Sequence, residues 1–399
     1  MYNEEMYGLG SKRSAIREIF EYAKKRSAEI GAENVFDFSI GNPSVPAPEA
    51  VRESIERHLR ETPSVALHGY TSAQGDKTVR DTIAKNYAKR FNVPLSGDDL
   101  YLTCGAAASL TITLRALACA GDEVIAIAPY FPEYRVFAQG AGLKFVLAPS
   151  DENTMLPDFS ALESAISAKT KAVIINSPNN PSGVVYGRET LVTLSAILKR
   201  KSDEYGAPIY LISDEPYREL VYGETEMESP FRYYNETFVC YSYSKALSLA
   251  GERIGYIAVN PAMQDAKALY ACVCGAGRAL GYVCAPALFQ RVVADCDGLT
   301  ADTSVYKRNR EILYNALTEY GFTCIYPQGA FYLFMKAEGD SAQAFCDKAR
   351  AYELLLVAGD SFGANGWVRI AYCLETETIL RALPKFKALA EEIGLKKKK

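Results

Sequence analysis

The sequence predicts an α/β fold: a large domain with a mostly parallel, doubly wound sheet flanked by helices, plus a smaller α+β domain. Short apolar runs alternate with helix-like segments through the middle of the 399-residue chain. Polar motifs follow directly after several of these runs, and the pattern changes after about residue 290. Continuous apolar strands separated by helices are typical of a sheet that helices cover on both faces. Such sheets bind ligands at the carboxyl ends of their strands.

The large domain is predicted to span residues 49–290. Its strands are expected at the apolar runs 100–103, 123–127, 144–147, 172–175, 209–212, 238–241 and 256–259. Helices are expected between several of these runs, at 105–120, 157–168 and 188–205. Strands that alternate with helices indicate βαβ units and therefore a parallel sheet.

The smaller domain is predicted to span residues 291–399, and residues 1–48 are expected to form an N-terminal arm and part of this domain. Its expected elements are a charged helix at 301–320, a strand pair around 324–336, a helix at 341–352, strands at 354–357 and 367–371, and a final helix at 375–393. No linker rich in glycine, proline or serine separates the domains, so we expect them to pack closely.

The composition argues against several functions. A net charge of −4 leaves no basic surface for nucleic acid or for a membrane. No apolar run reaches the length of about 18 residues that a membrane-spanning helix needs, and the N-terminus lacks the apolar region of a secretory signal. Ten cysteines at irregular spacing do not form a zinc motif, so we expect reduced thiols, a cytoplasmic protein and no metal site.

A lysine that follows an apolar strand is the first candidate for chemistry. Ser242, Ser244 and Lys245 belong to the run Ser-Tyr-Ser-Lys after the strand at 238–241, and Arg253 follows eight residues later. A lysine in such a place can lose its proton and form a Schiff base with a carbonyl. Arg253 offers a planar, two-point donor for a phosphate. The alternative for Lys245 is an ordinary loop lysine.

These residues together resemble the lysine region of the class I/II aminotransferases that use pyridoxal phosphate (PLP), of the aspartate and aromatic aminotransferase type. The resemblance implies the PLP-transferase fold type I. It also implies that Lys245 carries PLP as a Schiff base, that Ser242 and Ser244 contact the cofactor, and that Arg253 binds its phosphate.

Two further motifs agree with this family in order and spacing. Asp214 closes a strand and matches the aspartate that pairs with the pyridinium nitrogen of PLP. Tyr217 and Asn180 match the residues that hydrogen-bond the phenolic oxygen of the ring. Ser177 departs from the family, which usually has a proline there. Without the resemblance, Asp214 would be interpreted as a turn cap and Asn180 as part of a tight turn.

Other matches concern the phosphate and the face of the ring. Gly105, Ala106 and Ala107 precede or begin a helix whose free amides suit a phosphate, although a turn of small residues usually means close packing. Phe131 matches the aromatic residue that stacks on the pyridine ring, although an aromatic residue after a strand is more often core. Tyr70 matches a tyrosine that reaches the phosphate of the neighbouring subunit, which implies a homodimer with shared active sites.

The substrate residues are predicted from the same resemblance. Arg369 matches the arginine that binds the substrate α-carboxylate. Ile40 and Gly41 match the segment that lines the substrate pocket, which Asn180 also borders. Arg278 lies near the position where dicarboxylate enzymes of the family borrow a second arginine from the partner subunit. The alternative for Arg278 is an arginine on a helix surface or an interface.

The resemblance implies an aminotransferase that moves an amino group between an L-amino acid, such as aspartate, glutamate or an aromatic one, and a 2-oxo acid. Lys245 would then act as the general base at the substrate α-carbon. A PLP-dependent carbon–sulfur β-lyase would share every cofactor residue and is the first alternative. A non-enzymatic regulator with a PLP domain is a remote one, because only about 35 residues precede the first motif.

Overall fold

The computed structural model describes residues 2–11 and 15–397. The strands define the architecture. In chain order they are β1 (Phe36–Asp37), β2 (Leu100–Thr103), β3 (Glu123–Ile127), β4 (Lys144–Ala148), β5 (Thr170–Asn176), β6 (Tyr210–Asp214), β7 (Thr237–Ser242), β8 (Gly255–Val259), β9 (Cys324–Ile325), β10 (Tyr332–Lys336), β11 (Leu354–Leu355), β12 (Val357–Ala358) and β13 (Trp367–Ala371).

Helices flank these strands. In chain order they are α1 (Glu4–Ser11), α2 (Ala15–Ile30), α3 (Glu49–Glu61), α4 (Ser64–His68), α5 (Lys77–Phe91), α6 (Ala106–Leu117), α7 (Glu133–Gly140), α8 (Phe159–Ala165), α9 (Arg188–Tyr205), α10 (Tyr243–Ala246), α11 (Ala266–Ala279), α12 (Ala287–Cys296), α13 (Ser304–Glu319), α14 (Ala342–Arg350) and α15 (Thr376–Glu392). Among the described residues, no helix is both long and apolar enough to cross a membrane.

The large sheet has seven strands in the order β2-β8-β7-β6-β5-β3-β4. Every pair is parallel except the two that involve β8, which runs antiparallel to β2 and β7. The prediction of a mostly parallel sheet is therefore confirmed, and each of the seven predicted apolar runs coincides with one of its strands, although β6 begins one residue later than expected, at Tyr210.

Helices cover both faces of this sheet, as the apolar strands predicted. Ala172 and Ile174 of β5 lie in one core cluster with residues of α6 and α7. Val173 and Ile175, which point to the other face, lie in a second cluster with residues of α9. Because both faces of β5 are buried, the strand is apolar without alternation.

Some predicted boundaries were wrong for local reasons. The helix expected at 105–120 begins at Ala106, because Gly105 has a φ of 88°, and it ends at Leu117 before the extended Ala118. The strand expected at 354–357 is two strands in different sheets, since β11 pairs with β1 and β12 pairs with β13. The apolar run 354–358 is buried throughout and carries no signal for this change of partner.

The smaller unit contains an antiparallel sheet in the order β12-β13-β10-β9 and the two-stranded sheet β1-β11. Phe36 and Phe38 lie in the core cluster that also contains Leu313 of α13 and Phe386 of α15. Phe36 and Phe38 thus pack with the C-terminal elements. The exact division at residues 48 and 290 stays a prediction.

Candidate active site

A cavity of about 300 Å³ opens at the carboxyl edge of the large sheet. β5, β6 and β7 end side by side there, at Asn176, Asp214 and Ser242. Most of the predicted site residues line this cavity: Ile40, Gly41, Ala106, Ala107, Phe131, Asn180, Asp214, Tyr217, Ser242, Ser244, Lys245, Arg253 and Arg369. The cavity also has lining residues that sequence reasoning did not single out: Ile16, Leu110, Asn176, Pro216, Ala250 and Tyr332.

Lys245 lies on α10, a single turn of helix that begins directly after β7. The Ser242 side chain caps this turn by accepting a hydrogen bond of 3.0 Å from the Ser244 amide. The Lys245 Nζ atom donates to the Gly41 carbonyl oxygen at 2.6 Å. Burial lowers the pKa of Lys245 to about 8, and repulsion from Arg253 and Arg369 acts in the same direction. A fraction of the molecules therefore has a neutral, nucleophilic Lys245 amine near neutral pH.

Asp214 is the last residue of β6 and is buried. Its Oδ2 atom accepts a hydrogen bond of 2.5 Å from the Tyr134 hydroxyl, whereas Oδ1 has no hydrogen-bond partner in the part of the chain that the structure describes. Burial raises the pKa of Asp214 to about 7, although the bond from Tyr134 acts against this. A cationic N–H donor at Oδ1 would satisfy that oxygen and stabilise the charged carboxylate, so the residue fits a protonated pyridine ring.

The turn after β5 is held by its own side chains. The Asn176 Oδ1 atom accepts from the Asn180 amide at 2.7 Å, and the Asn179 Oδ1 atom accepts from the Ser182 amide at 3.0 Å. Ser177 accepts from the Tyr186 amide at 2.8 Å through its hydroxyl. A proline at position 177 could not make this bond, which gives the departure from the family pattern a local role.

The start of α6 and Arg253 form a cradle that suits a phosphate. Ala106 and Ala107 are the first residues of the helix, where backbone amides lack partners within the helix. A Cβ atom at Gly105 would lie 2.9 Å from Nη2 of Arg253, so only glycine lets the guanidinium approach this closely. Gly105 does not line the cavity itself but makes room for Arg253, which does.

Arg369 lies on β13 and is only 2% exposed. Its guanidinium carbon lies 4.6 Å from the ring centroid of Tyr332 and 4.9 Å from that of Phe362. Nη1 donates to Oδ1 of Asn180 at 3.0 Å, Nη2 donates to the Ser39 carbonyl, and Nε has no hydrogen-bond partner among the described residues. An oriented, incompletely paired guanidinium suits a carboxylate ligand.

Tyr134, Tyr332 and Phe362 are site residues that sequence reasoning missed. Tyr134 on α7 lies three residues after Phe131, which precedes the helix, and the two rings pack edge to face with their centroids 5.7 Å apart. That spacing was a usable signal. Tyr332 and Phe362 carry no local signal, because they reach Arg369 only through the pairing of β10 with β13 and the packing of the 359–362 turn.

Tyr70 and Arg278 lie outside the cavity in the single chain. The Tyr70 side chain is 98% exposed, and Arg278 is exposed near the end of α11. The segments that carry them meet, because Sγ of Cys284 contacts the Thr71 carbonyl oxygen at 3.2 Å. The exposed apolar side chains Leu280, Tyr282 and Val283 follow Arg278.

Comparison with known proteins agrees with this geometry. The sequence matches the family described as Aminotransferase class I and II over residues 33–386. It is 30% identical over 366 residues to an aspartate aminotransferase of Thermotoga maritima, covering 90% of this chain and 93% of that protein. It is 30% identical to an aspartate/prephenate aminotransferase of Thermus thermophilus, with 87% and 88% covered. An aminotransferase structure from Eubacterium rectale matches with a TM-score of 0.97, 54% identity and 99% of both chains covered.

Proposed function

Because this chain belongs to the class I and II aminotransferase family and is an aminotransferase, we propose that PLP is its cofactor and that Lys245 carries it. The observation that carries the proposal is the buried Asp214, whose Oδ1 atom has no partner among the described residues at the edge of a cavity lined by Lys245, Arg253 and Arg369. A buried carboxylate with an unpaired oxygen costs folding free energy unless a cationic ligand pairs with it.

Each part of PLP has a residue that would hold it. Arg253 and the amides of Ala106 and Ala107 would bind the phosphate, and Asp214 would hold a proton on the ring nitrogen. The remaining predicted contacts are Phe131 on the ring face, Tyr217 and Asn180 at the phenolic oxygen, and Ser242 and Ser244 beside the lysine. Bound there, PLP supplies an electron-withdrawing ring that makes the α-proton of an amino acid acidic.

Arg369 would bind the substrate α-carboxylate, next to the segment with Ile40 and Gly41. The Lys245 amine, with its pKa lowered to about 8, would then act as general base and take the proton from the substrate α-carbon onto its Nζ atom. A lysine with an ordinary pKa would be almost fully protonated at pH 7 and would be a poor base.

The substrate side chain is a separate question. Lys245, Arg253 and Arg369 are the cations that line the cavity within the described residues, and each already has a role. A second carboxylate, as in aspartate, therefore needs a cation from outside the chain, and Arg278 of a second copy is our candidate. Ile16, Ile40 and Leu110 offer an apolar wall to an aromatic side chain instead. If Arg278→Leu leaves the kinetics with aspartate and glutamate unchanged, this role for Arg278 is wrong.

We also propose a homodimer with shared active sites, located in the cytoplasm. The dimer is supported by exposed Tyr70 and by the exposed apolar side chains of Leu280, Tyr282 and Val283, whose chain segments meet where Cys284 contacts Thr71. A reducing compartment is supported by the cysteines, none of which forms a disulfide in the described part of the chain. No observation favours the β-lyase alternative.

The test is a screen of half-reactions. The PLP-loaded protein is mixed with each L-amino acid, and the loss of the long-wavelength absorbance of bound PLP is followed. Lys245→Ala should lose both this absorbance and all amino transfer to 2-oxo acids, while its circular dichroism stays unchanged. Lys199→Ala, at an exposed position of α9, is the control. Full activity of Lys245→Ala would contradict the proposal, and pyruvate release from cystathionine would favour the lyase.

A further inference from the structure

Tyr332 connects the two halves of the proposed site. It is the first residue of β10 and is buried, and its hydroxyl lies 3.0 Å from the Tyr217 hydroxyl. Its ring lies 4.6 Å from the guanidinium carbon of Arg369. One side chain therefore contacts both the tyrosine expected at the cofactor ring and the arginine expected at the substrate carboxylate.

The backbone makes room for this side chain. A Cβ atom at Gly41 would lie 1.8 Å from the Tyr332 hydroxyl oxygen, a distance that no real contact allows. Gly41 also accepts the hydrogen bond from Lys245. The absence of a side chain at position 41 thus lets the Tyr332 hydroxyl lie against the backbone segment whose carbonyl oxygen accepts from Lys245.

The protons of the two hydroxyls determine the direction of their hydrogen bond. Each tyrosine hydroxyl carries one proton. In the chain alone either hydroxyl could donate to the other. If Tyr217 donates its hydrogen bond to the phenolic oxygen of bound PLP, the bond between Tyr217 and Tyr332 can persist only if Tyr332 is its donor. Donation from Tyr332 polarises Tyr217 and strengthens the bond that Tyr217 makes to the cofactor.

We propose that Tyr332 is a positioning residue with two separable parts: its hydroxyl orients and strengthens Tyr217 as a donor to the cofactor ring, and its ring fixes the plane of the Arg369 guanidinium for the substrate carboxylate. This proposal rests on the proposed binding of PLP. The two parts act on different measurements, because the hydroxyl affects the charge of the cofactor and the ring affects the binding of substrate.

The hydroxyl is tested with Tyr332→Phe, which keeps the ring. We expect the pH midpoint at which the absorbance of bound PLP changes to rise by about 0.5 unit, because a weaker donor at the ring oxygen stabilises its negative charge less. Tyr217→Phe should raise the midpoint further. The KM for the amino acid should stay near the wild-type value, since the contact with Arg369 remains.

The ring is tested with Tyr332→Leu, which removes both parts. Its midpoint should rise as in Tyr332→Phe, and its KM should also rise about five- to tenfold through the loss of the cation–π contact. The control is Tyr372→Phe. The Tyr372 hydroxyl is buried in the same core as Tyr332 but donates to the carbonyl oxygen of Ala330. This variant should change neither quantity.

Two results would overturn the proposal: a wild-type midpoint in Tyr332→Phe, or an equal rise of KM in Tyr332→Phe and Tyr332→Leu. Failure of the cofactor assignment is recognised separately. In that case the wild-type protein itself would show no absorbance from bound PLP, and the proposal for Tyr332 would also be wrong.

Discussion

Lys245 and Asp214 carry opposite pKa shifts that have the same cause. Burial disfavours the charged form of each, so the pKa of Lys245 is lowered to about 8 and that of Asp214 is raised to about 7. Both shifts cost folding free energy in the protein without PLP. Functional sites often hold ionisable groups in such costly states, because a ligand of opposite charge can then be bound strongly.

The cost at Asp214 leads to a prediction about stability. Between pH 3.8 and about 7 the folded protein holds a proton at Asp214 that the unfolded chain has released, so stability falls as the pH rises through this range. Asp214→Asn in the PLP-free protein should therefore raise the free energy of unfolding at pH 8 by an amount on the order of 3 kcal/mol, with no gain below pH 4. Urea unfolding at both pH values measures this.

The same variant should be a poorer enzyme. With PLP added, Asp214→Asn should lose most of its amino transfer, because a neutral amide cannot hold a proton on the ring nitrogen as a carboxylate does. Asp340→Asn, at an exposed position, is the control for removing a carboxylate. Equal free energies of unfolding of Asp214→Asn and wild type at pH 8 would contradict the predicted cost of burying the Asp214 carboxylate.

At the scale of elements, the start of α6 depends on one backbone conformation. Gly105 is the N-cap with a φ of 88°, a region that residues with a side chain rarely adopt. It lets the start of the helix lie close to the guanidinium of Arg253, which itself follows β7 and α10 in the chain. Two elements far apart in sequence therefore form the phosphate cradle, and glycine is what brings them close.

Gly105→Ala should weaken PLP binding at least about tenfold, a loss of about 1.4 kcal/mol, because the new Cβ both strains the backbone and displaces Arg253. The dissociation constant of PLP, measured by absorbance or fluorescence titration, reports the change. Gly187→Ala is the matched control: Gly187 is the N-cap of α9 with a φ of −78°, and a Cβ there meets nothing within 4 Å in the described residues. Equal affinities of the two variants would refute this role for Gly105.

At the scale of the whole molecule, we propose that a second copy of the chain completes the site. Tyr70 is 98% exposed and lies outside the cavity of its own chain. A phosphate contact from the partner would explain that position. The same arrangement would bring the segment after Arg278 to the interface, since Cys284 contacts Thr71.

Mixed dimers test this arrangement. Lys245→Ala lacks the lysine, and Tyr70→Ala should bind PLP about tenfold more weakly, so both homodimers should have little activity at limiting PLP. Their co-expressed mixture should regain activity, because one site of each mixed dimer combines an intact Lys245 with an intact Tyr70. Mixing Lys245→Ala with Asp214→Asn is the control and should regain nothing, as both residues belong to one chain's site. The absence of any gain in the first mixture would argue against shared sites.

Short-range patterns in the sequence determined much of this protein. The seven strands of the large sheet were each predicted from an apolar run, and all but the edge strand β4 are largely buried on both faces. Lys245, Asp214, Asn180 and Arg369 were predicted from motifs at strand ends or within strands, and the structure brings them to one cavity. The strands follow from local apolar spacing, whereas the roles of Asp214, Asn180 and Arg369 were predicted from the resemblance of their local motifs to the aminotransferase family.

Only the tertiary structure decided which strands pair and which side chains support the site. β8 runs antiparallel within a mostly parallel sheet, and the apolar run 354–358 divides between two sheets. Tyr134 reaches Asp214 across 80 residues, and Tyr332 reaches Tyr217 across 115. These contacts depend on packing between distant segments, whereas a motif records only the neighbours of a residue along the chain. For that reason the sequence indicated Lys245, Asp214 and Tyr217 but not the tyrosines that contact Asp214 and Tyr217.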